Sequence, residues 1–408
     1  MIYLETIQWI IRLFTYLSFV GVGLFLVIPP VLLFLYLVVG RKKEKENTSS
    51  GITDFGIIVT AHEDTRFIDP IVRSLLQQHY STFHIYVVAD QCDPARLPIY
   101  PGLPVSILRP EQAINSKVKS IRYAIGQFVR RHQALVIFDV DNLVHPDFLK
   151  EVNHLFQQGY KAVQTDFRAK NLNTPFARMD AIGDLYNFFV DREARASIGL
   201  SAAIWGSGIA VDLDIYESVT YSDDLGGFDK KLQLHIIQKA GAIGFTTKGF
   251  LYDEKISSGV ALERQRTRWM SSQFKYFKVA LGLLGRSLLR LNLDHFFFAL
   301  NALRPPLVIQ FGLFLLVILL NMVVGQFALA GIAAGVLFLY AVSFYLIVGI
   351  RSRWNREIMG TFLLLPAFAA RQFAALLKIK QARKSFLKTQ QEQVMYIEDV
   401  KDPVQRSS

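Results

Sequence analysis

Two strongly apolar stretches bracket a long water-compatible middle, and this arrangement decides most of what the chain can become. The first stretch runs from about Leu13 to Val39. A helix rises about 1.5 Å per residue, so twenty or more apolar residues cross a hydrocarbon core of about 30 Å. The run is too long for the apolar part of a cleaved signal and ends in no small-residue cleavage site. It predicts a spanning helix kinked at Pro29-Pro30. Arg41-Lys42-Lys43 follow at once, which places this end on the cytoplasmic side and the N-terminus outside. Near the other end, Leu307 to Phe327 and Leu329 to Ile350 predict two further spans with a tight turn near Gly325-Gln326.

The chain therefore divides into a membrane helix over residues 1–40, a basic linker over 41–51 and an α/β domain over 52–273. Aromatic-rich amphipathic helices suited to a membrane interface follow over 274–304, with Lys275, Lys278, Arg286 and Arg290 interspersed. The two membrane helices fill 305–350, and 351–408 form a basic cytoplasmic segment. Within that segment 359–377 are apolar but contain Pro366 and Arg371 and are basic at both ends. Spanning would carry a basic flank across the bilayer, so an in-plane or re-entrant helix is expected.

Charge separates the possible partners. The net charge is +11, which in a soluble protein would point to nucleic acid. Here nine Lys and Arg lie between Arg351 and Lys388 against the single Glu357. They adjoin apolar helices, so anionic lipid is the expected partner and nucleic acid is not. The single cysteine, Cys92, excludes an intramolecular disulfide and a cysteine-based zinc site.

The middle of the chain alternates strand and helix. Gly56–Thr60, His84–Ala89 and Ala134–Phe138 are short apolar strands, and Ile68 to Gln78 and Lys117 to Arg131 are helical between them. That spacing predicts a doubly wound, mostly parallel sheet. Ligands of such sheets bind at the carboxyl ends of the strands, where Asp90, Asp139 and Asp141 fall.

Several residue sets there carry chemistry. Asp139-Val-Asp141 offers two hard oxygen donors that suit Mg²⁺ or Mn²⁺ on a diphosphate. A turn rich in Asp and Asn would read the same way. Asp90 and Asp93 close the neighbouring strand, where a carboxylate can accept from a base N–H or ribose hydroxyls, or simply make a turn. Asp64 or Glu63 could cap the helix that follows the first strand. Gln265-Arg266-Thr267-Arg268-Trp269 sets two guanidinium forks beside an indole face. The first suits phosphate oxygens and the second a sugar ring. Gly206-Ser207-Gly208 allows close backbone approach to a ligand, or a plain turn. The histidines are scattered without metal spacing and read as structural.

In their order along about 220 residues, these sets resemble the family 2 glycosyltransferases. Those are inverting, membrane-embedded enzymes such as cellulose, hyaluronan and poly-N-acetylglucosamine synthases and ceramide glucosyltransferase. The pieces carrying the resemblance are Thr60–Asp64, Val88–Asp90, Asp139–Asp141, Gln164 with Lys170-Asn171, Gly206–Gly208, Asp229-Lys230 and Gln265–Trp269. The resemblance implies a GT-A fold, a Rossmann-like α/β domain on membrane helices, and transfer from a UDP-sugar with a divalent cation. It implies that Asp64, Asp90, Lys119, Asp139, Arg266 and Arg268 bind the nucleotide sugar and that Asp141 ligates the metal. Gln265, Trp269, Gly206 and Ser207 would border the acceptor.

The family's catalytic Asp follows Thr-Glu, a pair missing here. The register of Asp229-Lys-Lys-Leu-Gln-Leu favours Asp229 as base, with Asp224 or Asp223 as rivals. The missing pair also leaves open an inactive membrane scaffold that binds nucleotide. Polysaccharide synthesis at the inner face of the plasma membrane is the leading expectation and a lipid acceptor the alternative. Three spans are few for a channel, so a second copy or an accessory membrane subunit would complete one.

Overall fold

A computed structural model describes residues 2–40, 51–221, 227–370 and 392–400. The strands are β1 (Phe55–His62), β2 (Phe83–Asp90), β3 (Val105–Leu108), β4 (Ala134–Asp139), β5 (Leu143–Val144), β6 (Ala162–Ala169), β7 (Ile209–Asp212) and β8 (Gly244–Asp253). The helices α1 to α5 are Ile2–Ser18, Leu24–Val39, Ile68–Leu76, Lys117–Gly126 and Phe148–Gln157. Next come α6 (Pro175–Phe188), α7 (Ala194–Ser197), α8 (Leu213–Glu217), α9 (Phe228–Lys239) and α10 (Gly259–Lys275). The chain then runs through α11 (Phe277–Leu289), α12 (Leu293–Leu303), α13 (Leu307–Val323), α14 (Phe327–Arg351) and α15 (Arg356–Gly360).

The strands form one sheet in the order β3-β2-β1-β4-β7-β6-β8-β5. β1 to β4 are mutually parallel, β6 and β8 run parallel, and β7 is inserted antiparallel between β4 and β6. Strands such as Gly56-Ile-Ile-Val are buried on both faces because helices cover both, which is why they read as unbroken apolar runs. β3 escapes a sequence reading because it has four half-buried residues and no pattern. The expected helix to Arg131 ends at Gly126, where the chain turns to bring His132 under β1.

The N-terminal apolar run is helical from Ile2 to Val39 and continues through Pro29-Pro30. Its departure from α geometry is a π-turn at Phe19–Gly23, where the Phe314 ring packs on Gly23. Asn321 Nδ2 donates to Thr15 Oγ1 at 2.7 Å, tying α13 to α1 across an apolar setting. Among the described residues two helices, Glu5–Val39 and Phe327–Arg351, are long and apolar enough to cross a membrane. The expected span at Leu307–Phe327 is shorter: α13 has 17 residues and meets α12 at 82°. Past α15 the chain is 3-10 over Thr361–Leu364 and helical over 365–370. The rest of the helix expected at 359–377 lies outside the described residues.

Arg351, expected beside lipid headgroups, is instead mostly withdrawn from the surface, its side chain 12% exposed. Its guanidinium donates to Asp166 Oδ1 at 2.6 Å and to Glu193 Oε2 at 2.7 Å. Glu193 Oε1 in turn accepts from Tyr36 Oη at 2.9 Å. The ends of both long membrane helices are thus tied to the α/β domain through one buried ion network. Removing one partner of such a network strands the other charges, which costs about 3–5 kcal/mol. Arg351→Ala should accordingly lower the melting temperature of the detergent-solubilised protein sharply; a melt within a degree of wild type would contradict the network's role.

Candidate active site

Register gathers the site. β1 and β2 pair so that His62 lies opposite Asp90, and β1 and β4 so that Thr60 lies opposite Asp139. Three neighbouring parallel strands therefore end at one level with carboxylates on two of them. A cavity of about 1560 Å³ opens there, lined by Asp90, Lys117, Asp139, Asp141, Asp229 and Arg268 among others. It continues between the membrane helices, where Phe25, Phe311, Leu315, Phe344, Phe362 and Phe368 line it.

Asp139 ends β4, and Asp141 lies beyond it in a turn, so strand alternation does not orient the pair. Asp139 is half-exposed and accepts from Lys117 Nζ at 2.5 Å. Lys117 also donates to the Gly206 carbonyl at 2.7 Å. Asp141 is buried, with Oδ1 meeting no hydrogen-bond partner among the described residues. Burial first, then the neighbouring Asp253 and Asp139 carboxylates, push its pKa up to about 8. A buried, unpartnered carboxylate oxygen among like charges is a poor place for an anion and a good one for a divalent cation. Among the described residues no three His, Cys, Asp or Glu gather into a complete protein cage. That suits Mg²⁺ or Mn²⁺, which take one or two carboxylates and complete their shell with water and substrate phosphates.

The turn that carries Asp141 is pinned from behind. Asn142 Oδ1 and Ser207 Oγ both accept from the Asp139 N–H, each at 3.1 Å. Asn142 Nδ2 donates to Asp253 Oδ1 at 3.0 Å, and Lys170 Nζ to the Asp141 carbonyl at 2.9 Å. Ser207, expected at an acceptor, therefore spends its hydroxyl on this turn. Gly208 has φ +58°, and a Cβ there would lie 2.5 Å from Leu251, so only glycine fits. Gln164 fastens the same loop, accepting from Trp205 N–H and donating to the Ser207 carbonyl.

Asp90 lines the cavity and is also used within the fold. It is buried, and its two oxygens accept from the N–H groups of Ile114 and Asn115 at 2.9 and 2.8 Å. Oδ2 also lies 3.1 Å from His62 Nδ1. Asp90 thus shapes the loop leading into α4, and His62, set aside as structural, orients it. Asp64 does not reach the cavity lining, because it forms a fork with Arg66 in a turn, and α3 starts without a side-chain cap. Lys119 is exposed on α4 and absent from the lining; half a helical turn away, Lys117 faces inward instead.

The glutamine-to-tryptophan stretch lies within α10 and splits its arginines. Arg266 donates to Asp180 Oδ1 at 2.8 Å and its guanidinium covers the Trp269 ring at 4.6 Å. That pairing holds α10 against α6, and Arg266 also lines the cavity. Arg268 points the other way, toward Asp139 and Asp229; burial lowers its pKa while those carboxylates oppose the fall. Trp269 meets Trp205 edge-on at 5.0 Å, and both line the cavity with Gln265. Asp229 sits in the first turn of α9 after Gly227, whose φ of +71° lets the chain enter the helix against Ser272 and Tyr276. The rivals Asp223 and Asp224 lie outside the described residues.

Lys255, given no role by sequence, is fully buried and bridges Asp184 and Asp253 at 2.5 and 2.8 Å. Burial opposes its charge, yet Asp184, Asp253 and Asp180 raise its pKa. It braces the wall on which Asp141 rests.

This geometry agrees with what the sequence is similar to. The family model described as Glycosyltransferase like family 2 matches residues 53–272, more than half the chain. The chain belongs to glycosyltransferase family 2. Among solved structures, this glycosyltransferase resembles the mannosyltransferase PcManGT from Pyrobaculum calidifontis, determined in complex with GDP-Man and Mn²⁺. The identity is 14%, the TM-score 0.55, and the match covers 91% of this chain and 100% of that one. A more distant likeness joins it to S. aureus TarS 1-349 in complex with UDP-GlcNAc, at 14% identity and TM-score 0.40 over 81% of this chain and 91% of that one. No curated protein matches the sequence. The family and the first likeness agree on a GT-A sugar-transferring domain, here carried with helices able to cross a membrane.

Lys117 and Lys119 give a direct test of the site. Lys117→Met should weaken nucleotide binding roughly tenfold, the size of one charge-assisted contact, while Lys119→Ala should leave it within a factor of two. Titration calorimetry with UDP and Mn²⁺ distinguishes them, and equal affinities would remove Lys117 from the site.

Proposed function

We propose that this protein is a multi-pass membrane hexosyltransferase that moves a sugar from a nucleotide diphosphate donor, UDP-linked by preference, to a lipid hydroxyl with inversion to a β-linkage. The observation carrying the reading is the continuity of one cavity from Asp139 and Asp141 to an apolar chamber lined by Phe25, Phe311, Phe344 and Phe368. A lipid acceptor leaves its tails in such a chamber and presents its head to the strand ends.

Asp229 takes the proton from the acceptor hydroxyl as that oxygen attacks the anomeric carbon. Arg268 and Lys117 face the diphosphate that departs on the opposite side. Asp141, with Asp139, would hold a divalent cation, which when bound neutralises charge on that diphosphate. Asp90 shapes the nucleotide wall through residues 114 and 115, and Trp269 with Gln265 borders the acceptor. One carboxylate base suffices, because inversion forms no covalent sugar–enzyme intermediate. The basic flanks of the spans put the catalytic domain in the cytoplasm.

A saccharide acceptor is the second reading, favoured by Trp205 and Trp269, whose indoles can floor a sugar. The protein in nanodiscs with Mn²⁺ and radiolabelled UDP- and GDP-sugars tests both. Label in the organic phase supports the lipid reading. Label in retained high-mass material replaces it with polysaccharide synthesis, and nucleotide binding without transfer to either class favours a scaffold.

A further inference from the structure

The turn from Asp139 to Asn142 leads straight into β5, and β5 is a weak element. It is two residues long and lies at the edge of the sheet. Its one strand partner among the described residues is β8, with Leu143 opposite Tyr252 and Val144 opposite Leu251. So short a ladder is little support by itself. The two faces of this pair are covered differently. Val144 and Leu251 join the main core, whereas Leu143, Phe250 and Tyr252 form a separate buried cluster. Met395, Ile397 and Val400, from the segment 392–400, pack over that cluster.

Polar contacts fasten the segment along its length. At its start the Glu254 carboxylate accepts from the Glu392 and Gln393 N–H groups at 2.8 and 3.2 Å. In its middle Tyr396 Oη donates to Asp69 Oδ2 at 2.9 Å, and the Arg73 guanidinium lies 5.5 Å from the Tyr396 ring. Gln77 Nε2 donates to Glu398 Oε1. Asp69 and Arg73 belong to α3, which also holds β5: Ser74 Oγ accepts from the Val144 N–H at 3.1 Å. The first anchor adjoins the support of the metal turn. Glu254 follows Asp253, whose Oδ1 accepts from Asn142 Nδ2, and Asn142 Oδ1 accepts from the Asp139 N–H. Leu143, under the apolar part of the segment, follows Asn142 directly. The segment thus grips the residues on both sides of the turn.

We propose that residues 392–400 are a strap that positions the metal turn, so that docking of the strap on β5, β8 and α3 raises the affinity of the site for a nucleoside diphosphate with its divalent cation. Tyr396 and Ile397 do not line the cavity and act through β5 and α3, so they are positioning residues. The inference rests on the reading of Asp139 and Asp141 as the metal and diphosphate site, and adds a control on that site from outside the cavity. Docking and binding are linked, so each favours the other by the same factor.

Ile397→Asp sets a charge against Leu143, Phe250 and Tyr252 and should release the strap. Titration calorimetry on the whole chain in nanodiscs should then show UDP with Mn²⁺ binding roughly tenfold more weakly than to wild type, within the usual range for coupled sites. UDP in EDTA should bind both proteins alike. Val394→Asp adds the same charge to the same segment at a residue 42% exposed, and should keep Kd within a factor of two. A partly unfolded sample lowers the number of sites and not the affinity, so the comparison survives it. The converse is read in wild type: hydrogen exchange of the peptide spanning 392–400 should slow roughly tenfold when UDP and Mn²⁺ saturate the site. Equal affinity in wild type and Ile397→Asp, or strap exchange indifferent to the ligand, overturns the strap and leaves the site reading intact. A loss in Val394→Asp as large as in Ile397→Asp also overturns it, because charge rather than docking would then be responsible. Wild-type UDP binding that ignores Mn²⁺ overturns the metal reading itself, and the strap's role with it.

Discussion

Asp229→Asn should lower kcat about a thousandfold, within the range of general-base catalysis, while leaving nucleotide affinity near wild type. The expectation follows from where the side chain lies. Asp229 lines the cavity on α9, facing the wall that holds Arg268 and across from the strand ends. Its carboxylate lies 3.9 Å from Lys230 Nζ, too far for a tight ion pair. A carboxylate whose task was to cap its own helix would lose only about 1 kcal/mol on conversion to the amide. Asn is itself a good cap, so helix stability cannot account for a large loss. A deficit in kcat with unchanged nucleotide affinity therefore isolates the proton-transfer role. Activity within tenfold of wild type would remove Asp229 as base and direct attention to Asp224.

How much of this was legible in the sequence depends on whether a role is set by local chain or by register. The strand–helix alternation, the Asp at each strand end and the apolar bracketing are local patterns, and the fold follows them. Lys117 and Lys119 differ by half a helical turn, and only the helix phase, fixed by Ser116 at the cap and Val118 and Ile121 in the core, turns Lys117 inward. Arg266 and Arg268 read alike on paper; Asp180, 86 residues earlier, claims one of them. Ser207 and Asp90 carry the right chemistry for ligand contact, but both are spent on backbone groups that sequence cannot place. Lys255 and Arg351 were invisible as structural ions because Asp184 and Asp166, which claim them, lie 71 and 185 residues away. In each case the residue type was informative and the partner was not, because burial of charge is decided by tertiary packing.

Asp141→Asn should abolish the metal dependence of nucleotide binding and cut transfer by a comparable thousandfold, as expected when charge on a leaving diphosphate is no longer neutralised. The variant keeps the side chain's size and its carbonyl bond to Lys170, so the turn at Asn142 should persist. pH supplies an independent readout. Burial and the Asp253 and Asp139 carboxylates push the Asp141 pKa up to about 8, so near neutrality a proton competes with the cation for the same oxygen. The Mn²⁺ concentration for half-maximal binding should therefore fall as pH rises from about 6.5 toward 8, by up to about tenfold per unit. Asn carries no such proton, and the slope should vanish.

The metal-free protein gives the converse sign. An acid whose pKa is raised on folding binds its proton more tightly when folded, so it contributes no penalty below its ordinary range near pH 4. Its ionisation destabilises the fold increasingly as pH climbs from there toward about 8. In EDTA, Asp141→Asn should thus melt above wild type at pH 8 and close to it at pH 4. Wild-type metal dependence in the variant would take Asp141 out of the metal site and leave Asp139 as its candidate ligand.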